Sequence, residues 1–275
     1  MSRVEALVTT MHQTDLSKYY EMNLSTDAVI ANQADCDSES EEIVIGCTVK
    51  LITTVTRGLS RNRNTAIANI GMDTDYIIFA DDDLRFYDNY EQTVISAFEK
   101  LPQADAIKFN LKCVSERKIS MSPIKNIHRA TRREVTSWGV GGLAVKASVL
   151  KKSRLLFNER FGTGTENYCG EDSIFLQDLF KHKIKVYTSP ETIAEIDQSD
   201  SSWFEGHNEK YFTVGGMVFA EMYPLLCYPL IISSEYKFSN RDDCKLSFLK
   251  ILKSYYIGIK KNELEHKISK DISYK

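Results

Sequence analysis

The sequence predicts an α/β fold in which a mostly parallel central sheet is flanked by helices and followed by a C-terminal helical extension. Three observations carry that reading. Over the first 110 residues, short β-branched apolar runs alternate with segments of helical period. Residues 76–80 (YIIFA) are apolar without alternation, as in a strand buried on both faces of a parallel sheet. From Gly216 onward the pattern becomes helical and amphipathic.

Each element follows from local chemistry. Residues 6–11 and 28–31 read as the first two strands, and 49–55 (VKLITTV) as the third. Ser60 stands where it would cap a helix through Ala66, Ile67 and Ile70, which Gly71 would stop. After the YIIFA strand a helix is expected from about 88 to 101, closed by Pro102, and then a strand near 104–111. Strands alternating with helices imply right-handed crossovers, and ligands of such sheets bind beyond the carboxyl ends of the strands. Residues 108–133 hold eight Lys/Arg against one acid, Glu116, and read as exposed loops or a ribbon. Their charge is either simply solvated or a rim that attracts an anionic substrate. Residues 138–150 (WGVGGLAVKASVL) place a glycine-rich turn before a strand, 171–182 read as a helix and 184–189 as a further strand. With no repeat or linker in view, the expected partition is a catalytic-type domain over 1–215 and a helical extension over 216–275.

Composition narrows the function. The 275 residues carry 35 Lys+Arg against 38 Asp+Glu, a net charge of −3, and are 43% hydrophobic. Those values exclude disordered, collagen-like and disulfide-scaffold chains, and the near-neutral balance argues against a dedicated nucleic-acid binder. The six cysteines are scattered without a C-x-x-C pair, so reduced thiols in a cytosolic protein are the simplest expectation. The start of the sequence lacks the apolar core of a signal peptide, and no uncharged apolar run reaches membrane-spanning length. The nearest approach, residues 217–234, contains Glu221 and two prolines.

Chemistry concentrates in three motifs. Asp81, Asp82 and Asp83 follow the buried YIIFA strand, where adjacent carboxylates are best tolerated beside a cation; an acidic turn capping the next helix is the plainer alternative. The run Arg57-Gly58-Leu59-Ser60-Arg61-Asn62-Arg63-Asn64 joins a strand to a helix and offers guanidinium groups and a helix N-terminus, both of which can bind phosphate. Gly170-Glu171-Asp172 places two carboxylates at a helix start, which the helix dipole alone favours and which would also anchor a catalytic base.

In this order the motifs resemble the family 2 glycosyltransferases of the GT-A fold, of the type that builds bacterial surface polysaccharides, over roughly residues 4–215. The family pattern G-L-S-x-x-R-N-x-x-I falls on Gly58, Leu59, Ser60, Arg63, Asn64 and Ile67, its D-x-D element on Asp81 to Asp83, and its E-D element on Glu171 and Asp172. The resemblance implies an enzyme that uses Mn²⁺ or Mg²⁺, with Asp83 as a metal ligand and Asp81 at the ribose or the metal's water shell. It implies Asp172 as the general base, with Glu171 helping to place the acceptor. Thr9, Thr10, Asn32 and Asp35 would surround the nucleobase, and Arg63 and Asp82 would lie near the donor nucleotide. The turn at Gly139, Gly141 and Gly142 would let backbone approach the donor sugar, on which Trp138 could stack. His207 is a candidate late metal ligand, or else an ordinary loop histidine.

The partners implied are a nucleotide-sugar donor, a UDP-sugar first among them, and a saccharide or lipid-linked saccharide acceptor, with no nucleic acid. The chain departs from the family where the first strand ends in Thr9-Thr10-Met11-His12-Gln13 and where Asn32-Gln33-Ala34-Asp35 follows the second. The Gln-x-x-Arg-Trp element of processive synthases is absent, which favours single addition. The apolar run from Met217 and the basic tail from Lys237 suggest either packing across the domain or peripheral contact with the inner face of the cell membrane. The rival readings are a nucleotidyltransferase, disfavoured by the lack of a glycine-rich loop after the first strand, and a non-catalytic carbohydrate-binding protein.

Overall fold

A computed structural model describes residues 2–115, 122–199, 206–239 and 243–273. The first half runs β1 (Val4–Met11), α1 (Ser17–Glu21), β2 (Asp27–Gln33), β3 (Ser38–Val44), β4 (Cys47–Thr54), α2 (Leu59–Ala68), β5 (Tyr76–Asp81), β6 (Leu84–Phe86), α3 (Tyr90–Lys100) and β7 (Ala106–Cys113). The second runs α4 (Arg132–Val135), β8 (Leu143–Lys146), α5 (Ala147–Ser153), α6 (Glu171–Lys181), β9 (Val186–Ile196), α7 (Glu209–Met222), α8 (Cys227–Ser239) and α9 (Phe248–Ser273). The expectations resting on residues 116–121 of the basic segment, on 200–205 before His207, and on 240–242 and 274–275 of the tail lie outside the described residues.

The strands form one sheet in the order β3-β4-β2-β1-β5-β8-β7-β9-β6. β1, β2, β4, β5, β7 and β9 share one direction, while β3, β8 and β6 pair antiparallel with their neighbours. The register sets Thr9 opposite Asp81 and Thr10 opposite Asn32, so the chemistry-bearing residues meet at the carboxyl rim of the parallel strands. Both faces of the sheet are covered, which explains the unbroken apolar run of β5. Tyr19, Tyr90, Val94 and Phe98 of α1 and α3 pack on one face. Ala66, Leu150, Phe175, Leu176 and Leu179 of α2, α5 and α6 pack on the other.

Three local findings differ from the sequence reading. Gly58, not Ser60, caps α2; Ser60 lies inside the helix and its hydroxyl donates to the Phe161 carbonyl at 2.7 Å. Strand β3, Ser-Glu-Ser-Glu-Glu-Ile-Val, is an exposed edge whose polar side chains gave no apolar alternation to read. The expected boundary at 215/216 falls in the middle of α7, which begins earlier because Asn208 accepts from the Tyr211 amide at 2.9 Å and caps it.

Helix α7 ties the last helices to the sheet domain. Its Val214, Met217, Val218 and Met222 pack with Phe161 and Ile174 on one side. On the other, Phe212 and Ala220 join Ile251, Tyr255 and Ile259 of α9 and Cys227 and Ile231 of α8. The crossing of α7 and α9 is close enough that a Cβ on Gly216 would stand 2.1 Å from the Tyr255 carbonyl oxygen, and one on Gly258 1.9 Å from that of Thr213.

Candidate active site

The site is assembled around Arg63. The guanidinium is 3% exposed and donates to both oxygens of Asp81 at 2.9 and 3.0 Å, to Asp172, and lies 3.7 Å from Glu171. It also stacks over the Phe157 ring at 5.1 Å. Burial by itself would lower its pKa, but Asp172, Asp81 and Glu171 reverse the sign and hold the cation firmly protonated. One buried cation therefore joins the carboxyl end of β5 to the start of α6. Its neighbours on α2 serve the same end: Asn62 donates to the Thr10 and Ala31 carbonyls at 3.1 and 2.9 Å, and Asn64 exchanges hydrogen bonds with the Phe157 backbone.

The three aspartates have different surroundings. Asp81 accepts from the Thr9 hydroxyl at 2.8 Å as well as from Arg63, and Asp82 accepts from the Thr10 hydroxyl at 2.6 Å. Asp83 has a buried Oδ1 with no hydrogen-bond partner among the described residues. Burial, with Asp81 and Asp82 beside it, pushes the Asp83 carboxyl up to about 7. A buried carboxylate oxygen left unpaired among like charges has the donor chemistry that a hard divalent cation would satisfy. No cluster of three or more His, Cys, Asp or Glu converges among the described residues.

Two cavities meet at these aspartates. The inner one, about 380 Å³, is lined by Arg63, Asp81, Asp83, Lys108, Trp138, Gly141, Glu171 and Asp172. The outer one, about 330 Å³, is lined by Thr9, Thr10, Gln33, Arg57, Asn62 and all three aspartates. Asp81, Asp83, Leu59 and Thr163 belong to both walls. Asp172 is held from two sides, by Arg63 on one oxygen and by the Val140 amide at 3.2 Å on the other. Burial raises the pKa of Asp172 against the opposing pull of Arg63; burial and the neighbouring Asp172 raise that of Glu171 to about 7. A carboxylate that is positioned, desolvated and weakened as an acid is suited to take a proton near neutral pH.

Some of the residues that the sequence nominated lie elsewhere. Asn32 is fully buried and spends its side chain on the Gln13 backbone and the Thr53 hydroxyl, so it fixes the loop after β1 rather than lining either cavity. Asp35 is exposed and pairs with Arg57 at 2.6 Å, meeting the outer cavity only through that arginine. Arg61 pairs with Glu159 at 3.1 Å. His207 is not among the residues lining either cavity; its ring lies against Tyr211, Phe212 and Phe238 and its Nδ1 3.4 Å from Asp243.

Other site residues were not singled out from the sequence. Lys108 of β7 is buried and donates to the Gly139 and Gly141 carbonyls, clamping the glycine-rich wall beside Asp172. Burial lowers its pKa to about 8, against the pull of Asp172 and Asp81. A lysine inside the apolar run Ala-Ile-Lys-Phe was the available signal. Gln33 accepts from the Gly58 amide at 2.7 Å and shapes the outer cavity. The loop from Thr163 to Gly170 lines both cavities, and its irregular sequence marks it only by its glycines.

Residues 27–155 match the model of glycosyl transferase family 2. Among solved structures, the fold is similar to S. aureus TarS 1–349 in complex with UDP-GlcNAc, with a TM-score of 0.59 at 15% identity over 80% of this chain and 66% of that one. TarS 1–349 without that ligand gives 0.57 at 15% identity over 92% and 70%, and the longer TarS chain 0.59 at 15% over 87% and 44%. This chain therefore spans just under two thirds of the first of these and less than half of the longest. No curated protein sequence matches it. At such low identity the structural likeness establishes the fold, and the family match holds the motifs from β2 to α5.

Proposed function

We propose that this chain, whose residues 27–155 match the model of glycosyl transferase family 2 and whose fold is similar to TarS, is an inverting, metal-dependent glycosyltransferase. In this reading a sugar passes from a nucleotide-diphosphate donor to a hydroxyl of a glycan or lipid-linked saccharide, in the building of a surface polysaccharide. The observation that carries the proposal is the position of Asp81 and Asp83 in the wall between two cavities. The nucleoside fits the outer cavity, the transferred sugar the inner one, and the diphosphate the passage at the aspartates. The TarS complexes with UDP-GlcNAc and UDP support uridine as the base.

Asp83, with Asp81, would hold Mn²⁺ or Mg²⁺, which when bound neutralises charge on the departing diphosphate. The chain's own residues do the rest. Arg63 keeps Asp81 and Asp172 at a fixed separation and supplies positive charge beneath the site. Asp172 takes the acceptor's proton as the new glycosidic bond forms at the anomeric carbon and the bond to the diphosphate breaks. A single base acting opposite the leaving group gives inversion. Lys108 holds the wall of Gly139 and Gly141 against the sugar, and Trp138 offers a ring face in the same cavity.

The test is a calorimetric titration of UDP and of a panel of UDP-sugars, with and without Mn²⁺, into the wild type and Asp83→Ala. Metal-dependent binding that the substitution removes is expected. Equal affinity with and without metal would reject metal dependence, and no affinity for any UDP compound would reject the donor assignment. A product retaining the anomeric configuration, followed by NMR, would reject inversion.

A further inference from the structure

Helix α9 buries one face and leaves the other unusually apolar. Its Ile251, Tyr255 and Ile259 are buried against α7 and α8. On the opposite side Leu249 is 73% exposed, and Tyr256, Ile257, Leu264 and Ile268 are also open to solvent. The turn and helix before it continue the patch through Leu225, 93% exposed, Leu226 and Ile232. The two stretches adjoin where Tyr228 and Tyr256 approach with ring centroids 6.2 Å apart, with the Lys260 ammonium over both. A soluble surface rarely leaves so many large aliphatic side chains contiguous without a partner.

The charges on this side indicate which partner. At 100° per residue, Lys253, Lys260 and Lys267 fall within the same arc as Leu249, Tyr256, Ile257 and Leu264. Lys260 is matched by Glu263 at 2.8 Å and Lys267 also acts on that carboxylate, whereas Lys250 and Lys253 form no ion pair among the described residues. Exposed aliphatic and aromatic groups interleaved with unmatched lysines suit the boundary between acyl chains and anionic headgroups. A second copy of the chain fits poorly, because the same lysines would be brought face to face. No described helix is long and apolar enough to cross a membrane, so the contact would lie along the surface.

We propose that the outward face of α9, continued by Leu225, Leu226 and Ile232, docks the protein on an anionic lipid surface. The assignment does not depend on the reaction catalysed, and its test uses no nucleotide. The full chain is mixed with vesicles of phosphatidylcholine alone or of equal parts phosphatidylcholine and phosphatidylglycerol, and bound protein is measured by sedimentation. Binding to the mixed vesicles only, reversed by salt as the screening length shortens, is expected. Lys253→Ala with Lys267→Ala should weaken it roughly thirtyfold. Leu249→Ser with Leu264→Ser should weaken it at unchanged charge. All four side chains point outward, so an unaltered circular dichroism spectrum and Tm would separate lost docking from lost folding. Absence of binding overturns the proposal, as does equal, salt-insensitive binding to phosphatidylcholine. Lipid-free self-association abolished by the same substitutions would overturn it in favour of a second copy.

Discussion

At the scale of single residues, the site is organised by the buried Arg63 guanidinium among carboxylates that share its charge. Arg63 is bonded to Asp81 and Asp172 and close to Glu171, while Asp83 lines both cavities without bonding it. Asp172→Asn keeps an oxygen for Arg63 and removes the proposed base, so transfer should fall about 10²- to 10⁴-fold with donor affinity unchanged. Steady-state rates beside a donor titration check this, and normal turnover would dismiss Asp172 as the base. The pH dependence follows from the raised values. A base that must be ionised is active above its pKa, and burial raises that of Asp172 while Glu171 sits at about 7. Because the two carboxyls are neighbours, their protons come off as a pair. The acid limb of the kcat profile should therefore lie above the ordinary carboxylate range. Glu171→Gln removes the like charge, so it should shift that limb to lower pH. An unchanged limb in the variant would show that Glu171 does not influence the titration. The motifs Arg63, Asp81 to Asp83 and Asp172 were legible because each is a run of unusual residues beside a clear strand or helix. Asn32 was read toward the ligand, and His207 as a late metal ligand or an ordinary loop histidine, because their type allows it; only the folded surroundings show the ring in an aromatic cluster and the amide spent on backbone.

At the scale of elements, legibility followed burial. Strands β1, β4 and β5 and helices α3 and α6 carry apolar side chains at the spacing of their secondary structure, and each was placed within a few residues. Strand β3 holds its place through backbone pairing to β4, with polar side chains in water, so its sequence carries no periodic trace. The cap of α2 was misplaced because Ser60 answers to Phe161, 101 residues away, a partner that no local pattern contains. The close crossing of α7 and α9 gives a sharper prediction. A methyl group added at Gly216 or Gly258 would enter the backbone of the facing helix, and backbone cannot rotate aside. Gly258→Ala, otherwise a favourable change inside a helix, should instead cost about 1–3 kcal/mol or more and lower Tm by several degrees. A raised Tm on thermal denaturation would mean that the two helices pack less tightly than described.

At the scale of the whole molecule, the sequence left the final segment either packing across the domain or touching a membrane, and the contacts describe a buttress. Arg160 precedes the loop that lines both cavities, and its guanidinium reaches Glu221 of α7 at 2.5 Å and Asn262 and Glu265 of α9 at 2.7 and 2.5 Å. Glu166 in the same loop pairs with Lys261 at 2.6 Å, and the Lys210 ammonium lies 4.7 Å from the centre of the Tyr168 ring. These partners span the final helices, so the geometry of Thr163 to Gly170 depends on residues far along the chain. The arginine's fork serves three acceptors at once, which a lysine could not reproduce. Arg160→Lys should therefore leave the fold largely intact yet weaken UDP binding about tenfold, since the loop wall would lose its register without losing its core. Removal of everything after Gly206 should do more. It would strip Val214, Met217 and Val218 from Phe161 and Ile174 and expose the surface beneath α6. A dispensable extension would leave Tm within a degree or two of the full chain and UDP binding unchanged. A buttress would lower Tm by on the order of 10 °C or abolish soluble expression, since uncovering several large apolar side chains costs about 1.5–3 kcal/mol each. Comparing both variants with the full chain in thermal denaturation and UDP titration separates the roles. Loss of binding in Arg160→Lys at near-native Tm assigns the final helices to positioning the site, whereas normal binding in the truncated chain would return them to the status of an extension.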